Sequence, residues 1–209
     1  MTSTLFLIFE ILGTVAFAVS GALVGISKKM DIFGIIVLAV SVAVGGGIIR
    51  DLILGSTPPS AFVDPSYALL AAVCAVVFCF PFVQRLLAKH KAFGDRVFLV
   101  MDTLGLASFA VVGVQTAYSL YPEASFFLPA FAGVVTGVGG GVIRDVFAGE
   151  VPGIFVRQFY ASAVIAGSVL CVLLWNLLGS AAASAVCMLS VVLLRFFAER
   201  YHWPLVHPK

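Results

Sequence analysis

The chain has 209 residues, of which 62% are hydrophobic and 11% are charged, and its mean hydropathy is +1.16. So apolar a composition leaves too little polar surface for a water-soluble domain and indicates a protein embedded in a lipid bilayer. The formal net charge of +2 gives no reason to expect a nucleic-acid partner.

Seven apolar runs are long enough to cross about 30 Å of hydrocarbon, which takes roughly 20 helical residues each. The runs show no alternation of period two, and helices satisfy their own backbone hydrogen bonds in lipid, so helices are favoured over a barrel. We therefore predict one all-α membrane domain, residues 1–209, with seven transmembrane helices. The first run contains Glu10 and has no basic start, which indicates a retained span and not a signal peptide. The seven runs are residues 4–26, 31–54, 65–88, 96–118, 124–148, 158–178 and 180–200.

The first two spans contain polar residues and glycines that are unusual in so apolar a chain. The first has Glu10 and, one turn later, Thr14. The second has Ser41, followed by the stretch VGGGIIRDLILG. Glycine weakens a helix interior and charge is costly in lipid, so this stretch indicates a functional constraint. Its glycine triplet and charged pair are Gly45, Gly46, Gly47, Arg50 and Asp51.

The fourth and fifth spans repeat this pattern. Residues 138–149 read VGGGVIRDVFAG, and each shared residue lies 94 positions after its counterpart. Asp102 in the fourth span lies 92 positions after Glu10, and Thr136 precedes the second triplet by about one turn. The second triplet and charged pair are Gly139, Gly140, Gly141, Arg144 and Asp145.

The chain is therefore an internal duplication. We place repeat 1 at about 4–88, repeat 2 at about 96–178 and a seventh helix at about 180–200. Because three spans is an odd number, the second repeat enters the membrane from the opposite side. Such an inverted-topology repeat is typical of membrane transport proteins.

The basic residues predict the orientation of the chain. With seven spans, ten of them fall on one side of the membrane, while the other side offers Asp64 and Glu123 and no Lys or Arg. The positive-inside rule then places the N-terminus outside and the C-terminus in the cytoplasm. The same charges give a modest affinity for anionic membrane lipids. The ten are Lys28, Lys29, Arg85, Lys89, Lys91, Arg96, Arg157, Arg195, Arg200 and Lys209.

The glycine triplets have two interpretations. Each glycine costs a helix roughly 1 kcal/mol relative to alanine, so a triplet favours a bend at which backbone carbonyls face a water-filled cavity. The alternative is close helix packing. Small residues occur at every fourth position along each helix, up to the last glycine of its triplet. A packing face alone requires only the last glycine of each triplet, which favours the bend.

The charged residues predict two ion pairs between helices. Arg50 and Asp51 are sequence neighbours about 100° apart around the helix, so we expect each to find its partner elsewhere. Glu10 and Arg50 share one depth in the membrane, and Asp102 and Arg144 share another, which predicts a charge pair at each end of a path. The alternative is that the arginines snorkel to the membrane edge.

Two copies of GGGxxRD in a three-plus-three-plus-one arrangement resemble the trimeric intracellular cation (TRIC) channel family. The likeness is to its small prokaryotic branch, also catalogued as a glycine-transporter-like domain, and it covers nearly the whole chain. The resemblance implies a homotrimer in a prokaryotic plasma (inner) membrane. It also implies that each subunit has its own pore for monovalent cations, potassium or sodium, bent at the glycine triplets of the second and fifth spans.

The sequence bears on three classes of function. A cation channel predicts a hydrated path with acids at both ends and weak, multiple coordination. A secondary transporter of a small solute such as glycine predicts a closed site at the repeat interface, and this alternative stays open. An intramembrane enzyme needs a recognised nucleophile, acid pair or metal-ligand cluster, none of which the sequence offers. We expect a channel that is not an enzyme, with no cofactor and no metal beyond transient monovalent cations.

Overall fold

The computed structural model describes residues 2–89, 91–156 and 159–201, and every regular element within these ranges is an α-helix. Arg157 and Lys209, which entered the orientation argument, lie outside the described residues. The helices are α1 (Thr2–Ser27), α2 (Ile32–Ile53), α3 (Ser60–Val63), α4 (Ser66–Cys79), α5 (Pro81–Lys89), α6 (Lys91–Leu120), α7 (Phe127–Phe147), α8 (Gly153–Val156) and α9 (Tyr160–Tyr201).

Five helices in the described ranges are long and apolar enough to cross a membrane: α1, α2, α6, α7 and α9. The first four of these correspond to the predicted spans at 4–26, 31–54, 96–118 and 124–148. Their lipid-compatible surface is plain from large apolar side chains that stay exposed, such as Phe33 at 74%.

The predicted span at 65–88 is wrong as a single helix. It is divided into α4, which has 14 residues, and the shorter α5. The division falls at Phe80, which adopts an extended conformation (φ −63°, ψ 135°) before Pro81. Proline lacks a backbone donor and forces the preceding residue out of the helical region, so the helix ends where the sequence places Pro81.

The long helix α9 begins at Tyr160 and covers residues 160–178 and 180–200 of the last two predicted spans, 158–178 and 180–200. Gly179, at φ 80° and ψ 161°, is non-helical and separates them. This backbone conformation is essentially restricted to glycine. The predicted boundary between the sixth and seventh spans therefore falls on a real interruption.

The two halves of the chain pack in corresponding ways. In the first half, α1, α2 and α4 contact one another, and in the second half α6, α7 and α9 do the same. Contacts between the halves run mainly from α1 to α6 and from α2 to α7. The centre of the molecule is thus where the two predicted repeats meet, and it holds both glycine triplets.

The ends of α2 and α7 are also alike. Gly55 (φ 71°) and Gly149 (φ 69°) follow these helices in the left-handed region that favours glycine. Their backbone amides donate to Leu52 and Val146, at 3.2 and 3.0 Å. The last glycine of each repeated stretch therefore terminates a helix and turns the chain into the short helix that follows.

Candidate functional site

Each arginine of the repeated motif pairs with the aspartate next to it. The Nε and Nη2 atoms of Arg50 lie 2.8 and 2.7 Å from Oδ1 of Asp51. The same atoms of Arg144 lie 2.9 and 2.8 Å from Oδ1 of Asp145. The prediction that these neighbours cannot pair was wrong. The arginine side chain is long enough to reach across the helix surface, and two of its guanidinium nitrogens contact one carboxylate oxygen of the neighbouring aspartate.

The other carboxylate oxygen of each aspartate holds the segment that follows its helix. Oδ2 of Asp51 accepts hydrogen bonds from the backbone amide and the hydroxyl of Ser60, at 2.8 and 2.7 Å. Oδ2 of Asp145 accepts one from the backbone amide of Gly153, at 2.7 Å. Ser60 and Gly153 begin α3 and α8. Both aspartates, whose partners the sequence left open, therefore tie a short helix back onto the end of a long one.

Asp102 lies at the centre of a group that we call the second polar cluster: Ser20, Asp102, Arg144, Tyr160 and Arg195. Nη1 of Arg144 pairs with Oδ1 of Asp102 and donates to the Ser20 hydroxyl at 2.7 Å. The Tyr160 hydroxyl donates to the same Asp102 oxygen at 3.2 Å. Nη2 of Arg195 lies 3.7 Å from the other carboxylate oxygen, Oδ2. The predicted pair of Asp102 with Arg144 is thus confirmed, and it has further partners.

The second polar cluster is sealed from solvent. Asp102 and Arg144 are both 0% exposed, and Arg195 is 3% exposed. The guanidinium of Arg144 also lies over the ring of Phe98, 4.9 Å from its centroid. With Asp145 included, two guanidinium groups face two carboxylates among the described residues, so the formal charges of these four side chains balance.

The first polar cluster, in the other half of the chain, consists of Glu10, Arg50, Asp51, Ser60 and Tyr67. Oε2 of Glu10 accepts a hydrogen bond from the Tyr67 hydroxyl at 2.5 Å. Among the contacts of the described residues, the predicted Glu10–Arg50 ion pair is not formed, and that prediction was wrong. The guanidinium of Arg50 pairs with the adjacent carboxylate of Asp51. Glu10 therefore has the Tyr67 hydroxyl as its hydrogen-bond partner.

Glu10 and Arg50 instead form part of the lining of two open cavities. One has a volume of about 300 Å³ and includes Asp64, and the other, of about 680 Å³, includes Asp51. Each cavity is therefore lined by two carboxylates and one guanidinium, a formal net charge of −1. Hydrogen bonds from Ser66 lower the pKa of Asp64, so its carboxylate is charged at neutral pH.

The glycine triplets let α2 and α7 touch along their backbones. A Cβ on Gly46 would collide with the carbonyl oxygen of Thr136, and one on Gly139 would lie 3.0 Å from the Cα of Gly46. A Cβ on Gly140 would overlap the carbonyl oxygen of Val42. Both helices run unbroken through their triplets. The close-packing alternative therefore describes these positions, and the triplets do not interrupt either helix.

The remaining glycines of the triplets differ between the halves. A Cβ on Gly45 would meet the Ile143 side chain, so this position too packs against α7. A Cβ on Gly47 would approach only Arg50, at 3.7 Å, and Gly47 lines the smaller cavity. At the equivalent Gly141 the Tyr160 hydroxyl occupies that space. One motif thus faces a cavity and its copy is covered by an aromatic side chain.

The predicted polar residues between the clusters have unequal positions. Thr14 lines the smaller cavity. The hydroxyl of Thr136 donates to the carbonyl of Ala132 on its own helix, at 2.6 Å. Ser41 is half-buried on α2 and does not belong to the lining of either cavity. Of these three, Thr14 alone faces the cavities described above.

Sequence reasoning missed five residues of the two clusters: Ser20, Ser60, Tyr67, Tyr160 and Arg195. The two tyrosines carried a signal, since they lie 93 positions apart and each bonds the acid of its own half. Arg195 was interpreted as an orienting charge at the membrane edge. Ser20 could not have been found from the duplication, because its repeat equivalent is Val112.

Long apolar helices, an internal duplication and charges gathered at its centre define an α-helical membrane transport protein. The chain belongs to the family whose model is described as "Glycine transporter", which matches it twice, over residues 7–82 and 99–176. Curated relatives include a UPF0126 membrane protein of Vibrio cholerae, 38% identical over 96% of this chain and 81% of the relative. The UPF0126 inner membrane protein YadS of Escherichia coli is 36% identical over 92% of this chain and 91% of its own.

Solved structures confirm the resemblance drawn from the doubled motif. One solved structure, described as the structural basis for conductance through TRIC cation channels, is 37% identical to this chain. Its TM-score is 0.82, and the match covers 97% of this chain and 96% of that one. The TRIC orthologue from Rhodobacter sphaeroides is 32% identical, with a TM-score of 0.86 over 95% and 99%. A prokaryotic TRIC channel in 0.5 M KCl is 29% identical, with a TM-score of 0.86 over 98% and 100%.

Proposed function

We propose that this protein is a channel for monovalent cations, potassium or sodium, with a conduction path inside each chain. The observation that carries the proposal is the net negative charge of the two cavities at the first polar cluster. A concave surface of one charge sign raises the local concentration of the opposite ion. The structural relatives described as cation channels support the same conclusion.

The path runs from these cavities, past Glu10 and Thr14, to the second polar cluster. Phe109 forms part of the cavity wall, and its ring centroid lies 5.3 Å from that of Phe17, which is fully buried. Beyond Phe17 the path meets the sealed group around Asp102. The conformation is therefore closed, with the first end of the path open at the two cavities and the second end shut.

The proposed topology has seven crossings in two inverted repeats, at about 4–88 and 96–178, followed by a seventh helix. The double match of the family model supports these boundaries. Helix α9 has 42 residues, roughly 63 Å at 1.5 Å per residue, which is twice the hydrocarbon thickness and supplies two crossings separated by Gly179. Helix α4, continued by α5 beyond Pro81, supplies the third crossing.

The basic residues support an outside N-terminus and a cytoplasmic C-terminus, in the inner membrane of a prokaryote. The first polar cluster then faces outward and the second faces the cytoplasm. The trimeric relatives support a homotrimer with one path in each subunit, surrounded by membrane lipids. Cross-linking in mild detergent tests the assembly, and a conducting monomer or dimer would contradict it.

A secondary transporter of a small solute such as glycine is the alternative. It is favoured by one observation, a cavity of about 680 Å³ that is open at one end of a path whose other end is closed. Alternating access requires such a state, and the family model carries a transporter description.

Purified protein in liposomes separates the two functions. We expect potassium efflux that follows the imposed gradient, does not saturate at millimolar potassium and is independent of glycine. Empty liposomes and liposomes with the Glu10→Gln variant are the controls. Saturable uptake of labelled glycine, coupled to an ion gradient and without passive potassium flux, would reject the channel in favour of the transporter.

A further inference from the structure

The larger cavity, of about 680 Å³, has the size and the mixed lining of a small-molecule site. Such sites span about 300–1,000 Å³ and combine apolar walls with a few polar groups. Glu10, Arg50 and Asp51 supply its charges, and five serine and threonine side chains add hydroxyl groups. The proposed conduction of potassium or sodium does not use its aromatic side chains, which therefore need an explanation of their own.

Three aromatic side chains from three helices line the larger cavity. Phe6 lies on α1, Tyr118 on α6 and Trp175 on α9, and all three are half-buried. The rings of Tyr118 and Trp175 are stacked, with centroids 4.7 Å apart and an angle of 20° between their planes. Phe6 precedes Glu10 by about one helical turn, so this ring and the carboxylate share one face of α1. The cavity thus combines aromatic surface with a carboxylate.

Glu10 is the carboxylate of this cavity that can receive a ligand. Both oxygens of Asp51 are occupied, one by Arg50 and the other by Ser60. Oε2 of Glu10 accepts the Tyr67 hydroxyl, whereas Oε1 accepts no hydrogen bond from any residue that the structure describes. A cation with an apolar body gains from a nearby carboxylate and from aromatic ring faces at the same time.

The other half of the chain already holds an organic cation between the same two kinds of group. Asp102 lies 92 positions after Glu10, and the same shift relates Phe98 to Phe6. The guanidinium of Arg144 pairs with Asp102 and lies over the Phe98 ring, 4.9 Å from its centroid. The equivalent acid and ring of the first half both border the larger cavity, so the same recognition is open there to a cation from solution.

We propose that the larger cavity binds a small organic ammonium cation. Its charged nitrogen lies at Glu10, and its alkyl groups pack against Phe6 and the stacked pair of Tyr118 and Trp175. The inference rests on the proposed function in one respect: the cavity is the entrance of the proposed path, so a bound ammonium ion obstructs the passage of potassium. Binding itself can be measured without a current.

Equilibrium dialysis of radiolabelled choline against purified wild-type protein in detergent tests the proposal. We expect saturable binding. The neutral analogue 3,3-dimethyl-1-butanol has the shape of choline without its charge, and it should compete about tenfold less well or worse, because the Glu10 carboxylate attracts the cation alone. Glu10→Gln should weaken choline binding by about tenfold or more, and Trp175→Leu should weaken it by about fivefold or more.

Matched variants remove the same groups elsewhere in the chain. Glu123→Gln removes a carboxylate from an exposed loop. Phe82→Leu removes an exposed aromatic ring that does not line the larger cavity, and Phe82 is the equivalent of Trp175 at the 93-residue shift that relates the two tyrosines. Neither change should alter the affinity for choline. The comparison of choline with its neutral analogue uses wild-type protein and decides the question if a variant fails to assemble.

The outcomes distinguish the ammonium site from the channel. If wild-type protein conducts potassium but choline binding does not saturate, or the neutral analogue competes equally well, the ammonium site is overturned and the channel stands. If choline binds saturably and the Glu10 and Trp175 variants lose affinity as expected while no form of the protein conducts cations, the channel proposal fails and the ammonium site is upheld. If both proposals hold, choline added on the side of the larger cavity reduces the potassium current, and Glu10→Gln weakens this block about tenfold or more.

Discussion

The carboxyl group of Glu10 faces the cavities and forms no ion pair with Arg50, which is bound to Asp51. The Arg50 fork is bound by Asp51, and the contact of Glu10 is a tyrosine hydroxyl. A carboxylate that faces a cavity within a membrane attracts cations, and the Arg50 guanidinium, which is bound to Asp51, screens it only in part. We therefore propose an electrostatic role for Glu10, while Asp51 ties the start of α3 to the end of α2.

Replacing Glu10 by glutamine should reduce the cation current. The change removes the net negative charge of both cavities, so we expect the unitary potassium current at 0.1 M salt to fall by about threefold or more. The loss should shrink at 1 M salt, where the screening length is about 3 Å. Single-channel recording at both salt concentrations measures this.

Glu123→Gln is the matched control, since it removes the same charge from an exposed loop. Arg50→Ala is the complementary change and should leave the current equal or larger in protein that still assembles. A Glu10→Gln channel with wild-type current and wild-type salt dependence would show that Glu10 is a structural anchor and has no part in conduction.

At the scale of elements, the crossing of α2 and α7 explains why glycine occurs three times in succession. Gly46 and Gly140 sit where backbone meets backbone, so any side chain there meets a carbonyl group of the opposite helix. Gly47 faces the cavity and has room for a methyl group. One triplet thus combines a packing function and a lining function at adjacent positions.

Two alanine substitutions separate these functions. Gly46→Ala should destabilise the protein by about 1–3 kcal/mol, because its Cβ collides with the Thr136 carbonyl and the helices must move apart. Gly47→Ala should be neutral or stabilising by up to about 1 kcal/mol through helix propensity. Thermal unfolding in detergent, followed by circular dichroism, compares the two. Equal losses of stability would refute the assignment of separate functions.

At the scale of the whole molecule, the duplication made much of the architecture predictable from the sequence. The duplication predicted that Asp102 and Arg144 share one depth in the membrane and pair, and the structure confirms the pair. Hydropathy alone predicted one helix over residues 65–88, whereas the helix ends just before Pro81. The proline was a signal for this end that the sequence already contained.

The asymmetry between the halves was not predictable in the same way. Repeat symmetry implies equal environments, whereas the contact of Arg195 with Asp102 depends on how α9 packs against α6. The pairing of neighbouring Arg and Asp depends on side-chain conformation, which a helical wheel does not represent. These are tertiary features, so the duplication predicted where acids and arginines gather but not which cluster is open.

The most direct test of the central proposal is the current carried by purified wild-type protein in a planar bilayer under a tenfold KCl gradient. We predict discrete unitary steps that reverse close to the potassium equilibrium potential, because the cavities at Glu10 carry net negative charge. Brief openings are expected, since the second polar cluster is closed in this conformation. Absence of unitary steps from protein that assembles correctly, or a reversal close to the chloride equilibrium potential, would contradict a cation path within the chain.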